Sequence, residues 1–313
     1  MTDYGRLLDD EMKAFIEAVA SATPHLPEDA TADDYRDAYL EMCRYFASDV
    51  PEGMVISDSE IAGRPVQHYQ PASTATDCLM IYFHGGGFVL GNLESHWSIC
   101  ADLSHAGQLE VMAVDYRLAP EHRHPAQHED CLGVTRALID KYPGRQFILA
   151  GDSAGAWLAA MVSHSLRGET EAIIGQLLIY PTFSGNPDTG SYITHAHAPM
   201  LSREDVIRYG HLLFGEDADE DEITGPLYQT EFSSLPATII FSAECDPLHD
   251  DGPAYCDRLL GAGNKAVCIS QKGMVHGYLR GRHQVASIAG AFADICLAAR
   301  QLSQQIWPFK PEN

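Results

Sequence analysis

The stretch Gln146-Phe147-Ile148-Leu149-Ala150-Gly151-Asp152-Ser153-Ala154-Gly155, followed after Ala156 by Trp157-Leu158-Ala159-Ala160-Met161-Val162, decides how the rest of the chain is read. An apolar run of strand character meets a G-x-S-x-G pentapeptide, and a run of helical character follows. A strand that turns sharply into a helix thrusts the residue at the turn outward. Flanking glycines keep such a crowded turn free of side-chain clashes. The spacing therefore predicts Ser153 as a nucleophile at a strand-to-helix turn. Glycine is frequent in this chain, 26 of 313 residues, so the pentapeptide alone is weak and needs partners.

The partners are present. His84-Gly85-Gly86-Gly87-Phe88 closes a second apolar run, Cys78-Leu79-Met80-Ile81-Tyr82-Phe83. Acyl transfer through a serine passes through a tetrahedral oxyanion that requires donors aimed at the developing charge. Glycine backbone leaves its N–H groups open to an approaching oxygen, and the Ala154 N–H at a helix N-terminus is a further donor. By itself the glycine loop reads equally well as a simple turn; beside Ser153 it reads as an oxyanion loop.

A serine hydroxyl also requires a base, and the base an orienting acid. Ala237-Thr238-Ile239-Ile240-Phe241-Ser242-Ala243 reads as a buried strand running into Glu244-Cys245-Asp246-Pro247-Leu248. Ala266-Val267-Cys268-Ile269-Ser270 reads as another strand, followed by the loop Gly273-Met274-Val275-His276-Gly277-Tyr278. Acid and base thus each fall beyond the C-terminal end of a strand, and in an open α/β sheet those ends share one edge. Four carboxylates compete for the acid: Glu244, Asp246, Asp250 and Asp251. Asp250 and Asp251, beside Gly252-Pro253, read as caps of the next helix. Glu244, nearest the strand, reads as a structural hydrogen-bonding residue.

Five ordered motifs now carry a family likeness. The runs from His84 to Phe88, Asp115-Tyr116-Arg117-Leu118-Ala119-Pro120-Glu121, Gly151 to Gly155, Asp246-Pro247-Leu248 and His276-Gly277 together resemble the hormone-sensitive-lipase-like bacterial esterases. The likeness spans about residues 55 to 300, and the stretch from His84 to His96 is most similar to the bacterial acetyl esterases. It implies an α/β-hydrolase fold, with a mostly parallel sheet, helices on both faces and a helical cap. It also implies Ser153 as nucleophile, Asp246 as acid and His276 as base. The oxyanion donors are then Gly86, Gly87 and Ala154; Gly85 in the same loop belongs to the oxyanion hole either as a further donor or by shaping the loop, and His84 holds the loop by hydrogen bonding. The expected reaction is hydrolysis of short-chain acyl esters, acetyl to about hexanoyl, through an acyl-enzyme with no cofactor. Where many relatives have Gly-Asn, this chain has Ala156-Trp157, so Trp157 either narrows the pocket or, the preferred reading, packs in the core.

Short apolar strands alternate with helical stretches from about residue 78 onward, the pattern of a largely parallel sheet covered on both faces. Two segments break that rhythm. In residues 1–50, Leu8, Met12, Phe15, Ile16 and Val19 recur at helical spacing, as do Tyr39, Met42, Cys43 and Phe46. In residues 184–228, Ser202-Arg203-Glu204-Asp205 forms a capping-box start. Val206, Tyr209, Leu212 and Leu213 follow on one face, and Gly215 is placed to end the helix. The expected division is a catalytic core of residues 51–183 and 229–313 under a cap of residues 1–50 and 184–228.

Net charge is −24, and only five of the 20 basic residues are lysine. No basic stripe exists to neutralise phosphates, which argues against nucleic acid and anionic membrane surfaces as partners; the partner that the resemblance implies is a small-molecule ester. A homodimer is compatible with the sequence. The acidic run Glu216-Asp217-Ala218-Asp219-Glu220-Asp221-Glu222 lacks the mid-loop glycine and closing glutamate of a calcium loop and reads as a solvated loop. His122, His124 and His128, or His195 and His197, lack the spacing that closes a zinc site, so no metal is expected. The eight cysteines form no C-x-x-C pair and several lie in apolar runs. With no signal-peptide pattern and no spanning apolar run, a cytoplasmic location is expected. Amidase, lipase and binding-only readings share the same motifs in part. A binding-only relative, however, would lack a triad residue, and none is missing.

Overall fold

The structure, a computed structural model, describes residues 2–27, 29–218, 223–307 and 309. The chain opens with a short helix, α1 (Tyr4–Leu7), then α2 (Asp10–Ala22) and α3 (Ala32–Tyr45). Asp9 caps α2 by accepting from the Met12 N–H, and Thr31 and Asp34 form a capping box for α3. As the periodicity predicts, α2 buries Met12, Phe15 and Val19, and α3 buries Met42 and Cys43.

The sheet begins with a hairpin that the apolar pattern did not announce. Strands β1 (Val55–Ile61) and β2 (Arg64–Gln70) pair antiparallel around the two-residue turn Ala62-Gly63. Both turn residues have positive φ, the geometry that suits a tight hairpin. Exposure of β1 along nearly its whole length is why hydrophobicity gave no signal there.

From here strands and helices alternate: β3 (Leu79–Phe83), α4 (Leu93–Gly107), β4 (Glu110–Val114), α5 (Ala126–Lys141), β5 (Phe147–Asp152), α6 (Ala154–Leu166) and β6 (Ile173–Ile179). After the short α7 (Gly190–Thr194) and α8 (Arg203–Phe214) come β7 (Ala237–Cys245), α9 (Asp251–Gly261), β8 (Ala266–Val275) and α10 (Ala286–Ser303). Among the described residues eight strands form one sheet in the order β1-β2-β4-β3-β5-β6-β7-β8, parallel from β4 through β8. Period-two alternation divides the core. In β3, Met80 and Tyr82 pack with Ile99, Leu103, Ile288 and Ile295 of α4 and α10 on one face. Leu79, Ile81 and Phe83 pack with α5, α6 and α9 on the other.

This order places a topological switch at β3. The chain passes from β3 to β4 on one side and returns to β5 on the other. Loops leaving β3 and β5 therefore diverge, and the crevice between them lies at the C-terminal strand ends. The sequence-predicted elements hold there with two corrections. Strand β8 runs to Val275, so Gly273, Met274 and Val275 are strand rather than loop, because Val275 pairs with Cys245 beyond a register shift in β7. Asp250 sits at the start of α9 without a side-chain capping bond, and Asp251 turns to other partners; neither caps the helix.

The two divergent loops are locked together by a close backbone approach. A Cβ on Gly155, in the first turn of α6, would fall on the Phe83 carbonyl at the end of β3. Gly155→Ala is therefore expected to cost at least about 3 kcal/mol, as overpacking against backbone that cannot yield. Gly290→Ala on α10, where a Cβ meets open space, should instead gain up to about 1 kcal/mol from helix propensity. Thermal and urea unfolding of both variants test the pair; an unaffected Gly155→Ala protein would refute the contact.

Candidate active site

Ser153 stands between β5 and α6 with φ 53° and ψ −119°, a conformation that L-residues adopt only when the surroundings enforce it. Its N–H donates to the Ile179 carbonyl at 2.9 Å, tying the turn to the end of β6. His276 follows β8 directly and reaches Ser153 Oγ with Nε2 at 2.9 Å. On its other side, Nδ1–H donates to Asp246 Oδ2 at 2.7 Å. Asp246 is 1% exposed, just beyond β7, and its second oxygen accepts the Leu248 N–H at 2.9 Å. The structure thus brings the three sequence-predicted side chains into one hydrogen-bonded line.

The rival carboxylates have other work. Glu244 accepts the Gly273 N–H at 2.7 Å, the structural role expected of it. Asp251, fully buried, accepts from the Phe183 N–H at 2.6 Å and the Tyr192 hydroxyl at 3.0 Å. Burial pushes its carboxyl up to about 7. Asp250 accepts the Ser191 N–H at 2.8 Å. Both therefore anchor the segment after β6, not α9.

The glycine loop shows which amides remain free. The Gly85 N–H is committed to Asp152 Oδ1 at 2.9 Å, so Gly85 drops out as an oxyanion donor and shapes the loop instead. Among the described residues, the Gly86, Gly87 and Ala154 N–H groups donate to no other backbone group. Gly87 has φ +61°, and a Cβ there would strike the ring of Tyr209 on α8, so only glycine fits under that ring. His84 donates from Nδ1 to the Gly85 carbonyl at 2.8 Å and stacks on Tyr116 at 4.2 Å. It supports the loop without touching Ser153's line of groups.

Beneath the loop lies a buried polar floor that sequence reasoning missed. Asp152 accepts from Tyr82 at 2.7 Å and Tyr180 at 3.2 Å besides Gly85. Burial opposes its ionisation, but His96, the Tyr82 hydroxyl and the Arg280 cation hold it well below the usual carboxylate range. The Tyr180 ring also packs edge-on against His276 at 4.9 Å. Asp152 lies inside the G-x-S-x-G pentapeptide, His96 closes the stretch that begins at His84, and Arg280 follows His276 by four positions, but nothing in these runs announces that they meet Tyr82 and Tyr180 in one buried network.

A cavity of about 520 Å³ opens over Ser153. Gly86, Gly87 and His276 line it, together with Trp157, Tyr209 and Leu213. Trp157 is 1% exposed and donates to Ser184 Oγ at 3.2 Å, so it both packs in the core and bounds the cavity. Val19, Tyr39 and Met42 reach the cavity from α2 and α3, and Val206 from α8. The α8 helix begins with the predicted Ser202–Asp205 capping box and ends at Gly215.

The remaining candidates scatter. His128 bonds Ser165 Oγ at 3.0 Å, His124 packs edge-on to Trp157 at 5.7 Å, and His195 meets the Tyr4 hydroxyl at 3.0 Å. Of the acidic run beginning at Glu216, residues 219–222 lie outside the described residues. Among the described residues, no helix is long and apolar enough to cross a membrane.

A family model for the alpha/beta hydrolase fold matches residues 80–280, which hold the glycine loop, Ser153, Asp246 and His276. The chain belongs to the α/β-hydrolase family. Within this family it is similar to an ethyl acetate hydrolase of Pseudomonas putida, 30% identical over 85% of this chain and 89% of the relative. It is equally similar, at 30%, to an acetyl esterase of Salmonella paratyphi A, over 87% of this chain and 88% of the relative. Among solved α/β-hydrolase structures, a hyperthermophilic esterase from the archaeon Pyrobaculum calidifontis superposes with TM-score 0.85 at 27% identity, covering 95% of this chain and 99% of that one. These similarities put the chain among the carboxylic ester hydrolases of the α/β-hydrolase family.

Burial and the adjacent His96 lower the His84 pKa to about 3, and its buried Nε2 has no hydrogen-bond partner. The unfolded chain takes up this proton near the ordinary imidazole value of about 6.5, whereas the folded α/β-hydrolase does not. The stability from neutral His84 is thus complete above that value and declines as pH falls toward the folded value. Between pH 7.5 and 5, urea unfolding should show a loss of about 2 kcal/mol attributable to this residue. His84→Asn should have a correspondingly shallower acid dependence, and an unchanged slope would contradict the assignment.

Proposed function

We propose that this carboxylic ester hydrolase acts on short-chain acyl esters, acetyl to about hexanoyl, through an acyl-enzyme on Ser153. The observation that carries the reading is the continuous line from Ser153 Oγ through His276 to Asp246, at 2.9 and 2.7 Å. In this reaction His276 Nε2 takes the hydroxyl proton as Oγ attacks the ester carbonyl carbon. Asp246 holds the imidazole in the Nδ1–H tautomer and stabilises the imidazolium. The N–H groups of Gly86, Gly87 and Ala154 receive the oxyanion. As the tetrahedral species collapses, the C–O bond to the alcohol breaks and His276 returns its proton to the departing oxygen. A water molecule then attacks the acyl-enzyme, with His276 again as base, and releases the acid.

Support for short acyl groups comes from the walls near the glycine loop. The Tyr209 ring on Gly87 and the buried Trp157 limit the space beside the proposed oxyanion hole. Similarity to an ethyl acetate hydrolase and an acetyl esterase points the same way. In this reading residues 1–50 and 184–228 act as a cap over a core of residues 51–183 and 229–313. Val19, Tyr39 and Met42 from the first segment and Val206, Tyr209 and Leu213 from the second line the cavity.

Ser153→Ala should lower kcat on para-nitrophenyl acetate by at least about 10⁴-fold while leaving the circular dichroism spectrum intact. Retained turnover would remove Ser153 as nucleophile. Asp246→Asn should bring a loss of about 10⁴-fold in kcat, since the wrong imidazole tautomer is then favoured; Glu244→Gln should not. Across para-nitrophenyl esters from acetyl to dodecanoyl, kcat/KM should be highest at six carbons or fewer, and a maximum at dodecanoyl would overturn the short-chain assignment.

A further inference from the structure

We infer that Arg280 forms a carboxylate subsite in the catalytic cavity, so that the preferred esters of this enzyme carry an acidic group in addition to the scissile ester. The inference rests on the esterase reading above and names the substrate class of the same site.

The argument begins with two buried arginines on the 3-10 turn Tyr278–His283 that follows His276. Arg282, 4% exposed, has a counter-ion: Asp102 lies at 2.6 Å from its guanidinium. It also donates to Ser98 Oγ at 2.9 Å. Arg280, 7% exposed, has none. Its Nη1 donates to the Ser95 carbonyl at 3.0 Å, and its Nη2 donates to the Tyr39 hydroxyl at 2.7 Å. The guanidinium also lies over the Tyr39 ring at 5.0 Å, and Nη2 stands 3.5 Å from His96 Nε2. These partners are uncharged; burial lowers the His96 pKa and keeps that ring neutral. Among the described residues no carboxylate comes within ion-pair distance of Arg280, and its Nε makes none of these bonds.

Asp152 is the neighbouring acid, and it is already engaged. His96 stands between the two, 3.5 Å from Asp152 Oδ1, and the Asp152 oxygens accept from Tyr82, Gly85 and Tyr180. Asp152 senses the Arg280 charge only across His96, no carboxylate touches the guanidinium, and a guanidinium offers a planar fork of donors that matches a carboxylate. Arg280 lines the cavity that also holds Ser153 and His276. An ester whose far end is a carboxylate satisfies both requirements at once: the carbonyl reaches Ser153 and the anion completes Arg280.

Two matched ester pairs, followed by pH-stat titration, test this and locate the charged arm. Methyl hydrogen glutarate against methyl glutaramate places the charge on the acyl side; β-acetoxypropionate against β-acetoxypropionamide places it on the alcohol side. In at least one pair the charged member should have a kcat/KM at least about 10-fold higher than its amide. Arg280→Met should bring that ratio to one or below, and Arg280→Lys should retain part of it. Equal rates within both pairs, or a ratio that survives Arg280→Met, would overturn the subsite while leaving the esterase reading in place. Failure to hydrolyse any ester, ethyl acetate included, would remove the esterase reading and this inference with it. Should Arg280→Met not fold, inhibition of wild-type para-nitrophenyl acetate hydrolysis decides. Glutarate should compete at least about 10-fold more strongly than glutaramide, with the advantage shrinking as salt is added; equal inhibition refutes the subsite.

Discussion

The backbone leaving β5 presses so closely on the backbone leaving β3 that no side chain fits between them. Gly155 meets the Phe83 carbonyl, and Asp152 reaches across to the Gly85 N–H. Because β3 and β5 are neighbours at the point where strand order reverses, their outgoing loops would otherwise be free to part. This contact makes the serine turn and the glycine loop one rigid unit. A nucleophile and its oxyanion donors are useful only when their separation is held before the substrate arrives. The positive φ of Ser153 is sustained by the same crowding.

A buried electrostatic layer supports that unit from below. Asp152 stays ionised in the interior because Tyr82, Tyr180 and Gly85 satisfy its oxygens and because His96 and Arg280 stand nearby. His84 stays neutral and spends its Nδ1–H on the Gly85 carbonyl. Each of these groups would be destabilising if left alone in the core, so the layer tolerates little rearrangement. Arg280 stands apart, since its hydrogen bonds go to uncharged groups while Arg282, two positions on, has Asp102. Rigid backbone above and this polar layer below hold the cavity floor in place, and Arg280 is among the residues that line the cavity.

Much of this was legible in the chain because the informative residues sit at strand ends in short runs. The apolar stretches before Gly151 and His84 announced β5 and β3, and the capping box at Ser202 announced α8. What escaped had a physical cause in each case. The hairpin of β1 and β2 is largely exposed on β1 and so carries no hydrophobic signature. Strand β8 outruns its apolar stretch because Gln271 and Val275 find partners on β7, and pairing, not hydrophobicity, carries it to His276. Whether Gly85 donates or only shapes its loop was open in the sequence, because loop geometry alone turns its N–H toward Asp152.

The order of Ser153, an acidic loop from Glu244 to Asp251 and His276 along the chain, each after an apolar run, was enough by itself to indicate an open α/β sheet with these residues at one edge. Hydrophobic periodicity and turn residues are local properties, and they survive in one dimension. The tertiary structure alone decided which of the loop carboxylates faces the histidine. Asp246 points to His276 at 2.7 Å, while Asp251 is drawn to Phe183 and Tyr192 and Glu244 to Gly273. It alone also brought Tyr39, Ser95 and Arg280 together from three distant segments. Side chains on one loop differ by a few ångströms and a rotation, and only packing against other segments sets that direction.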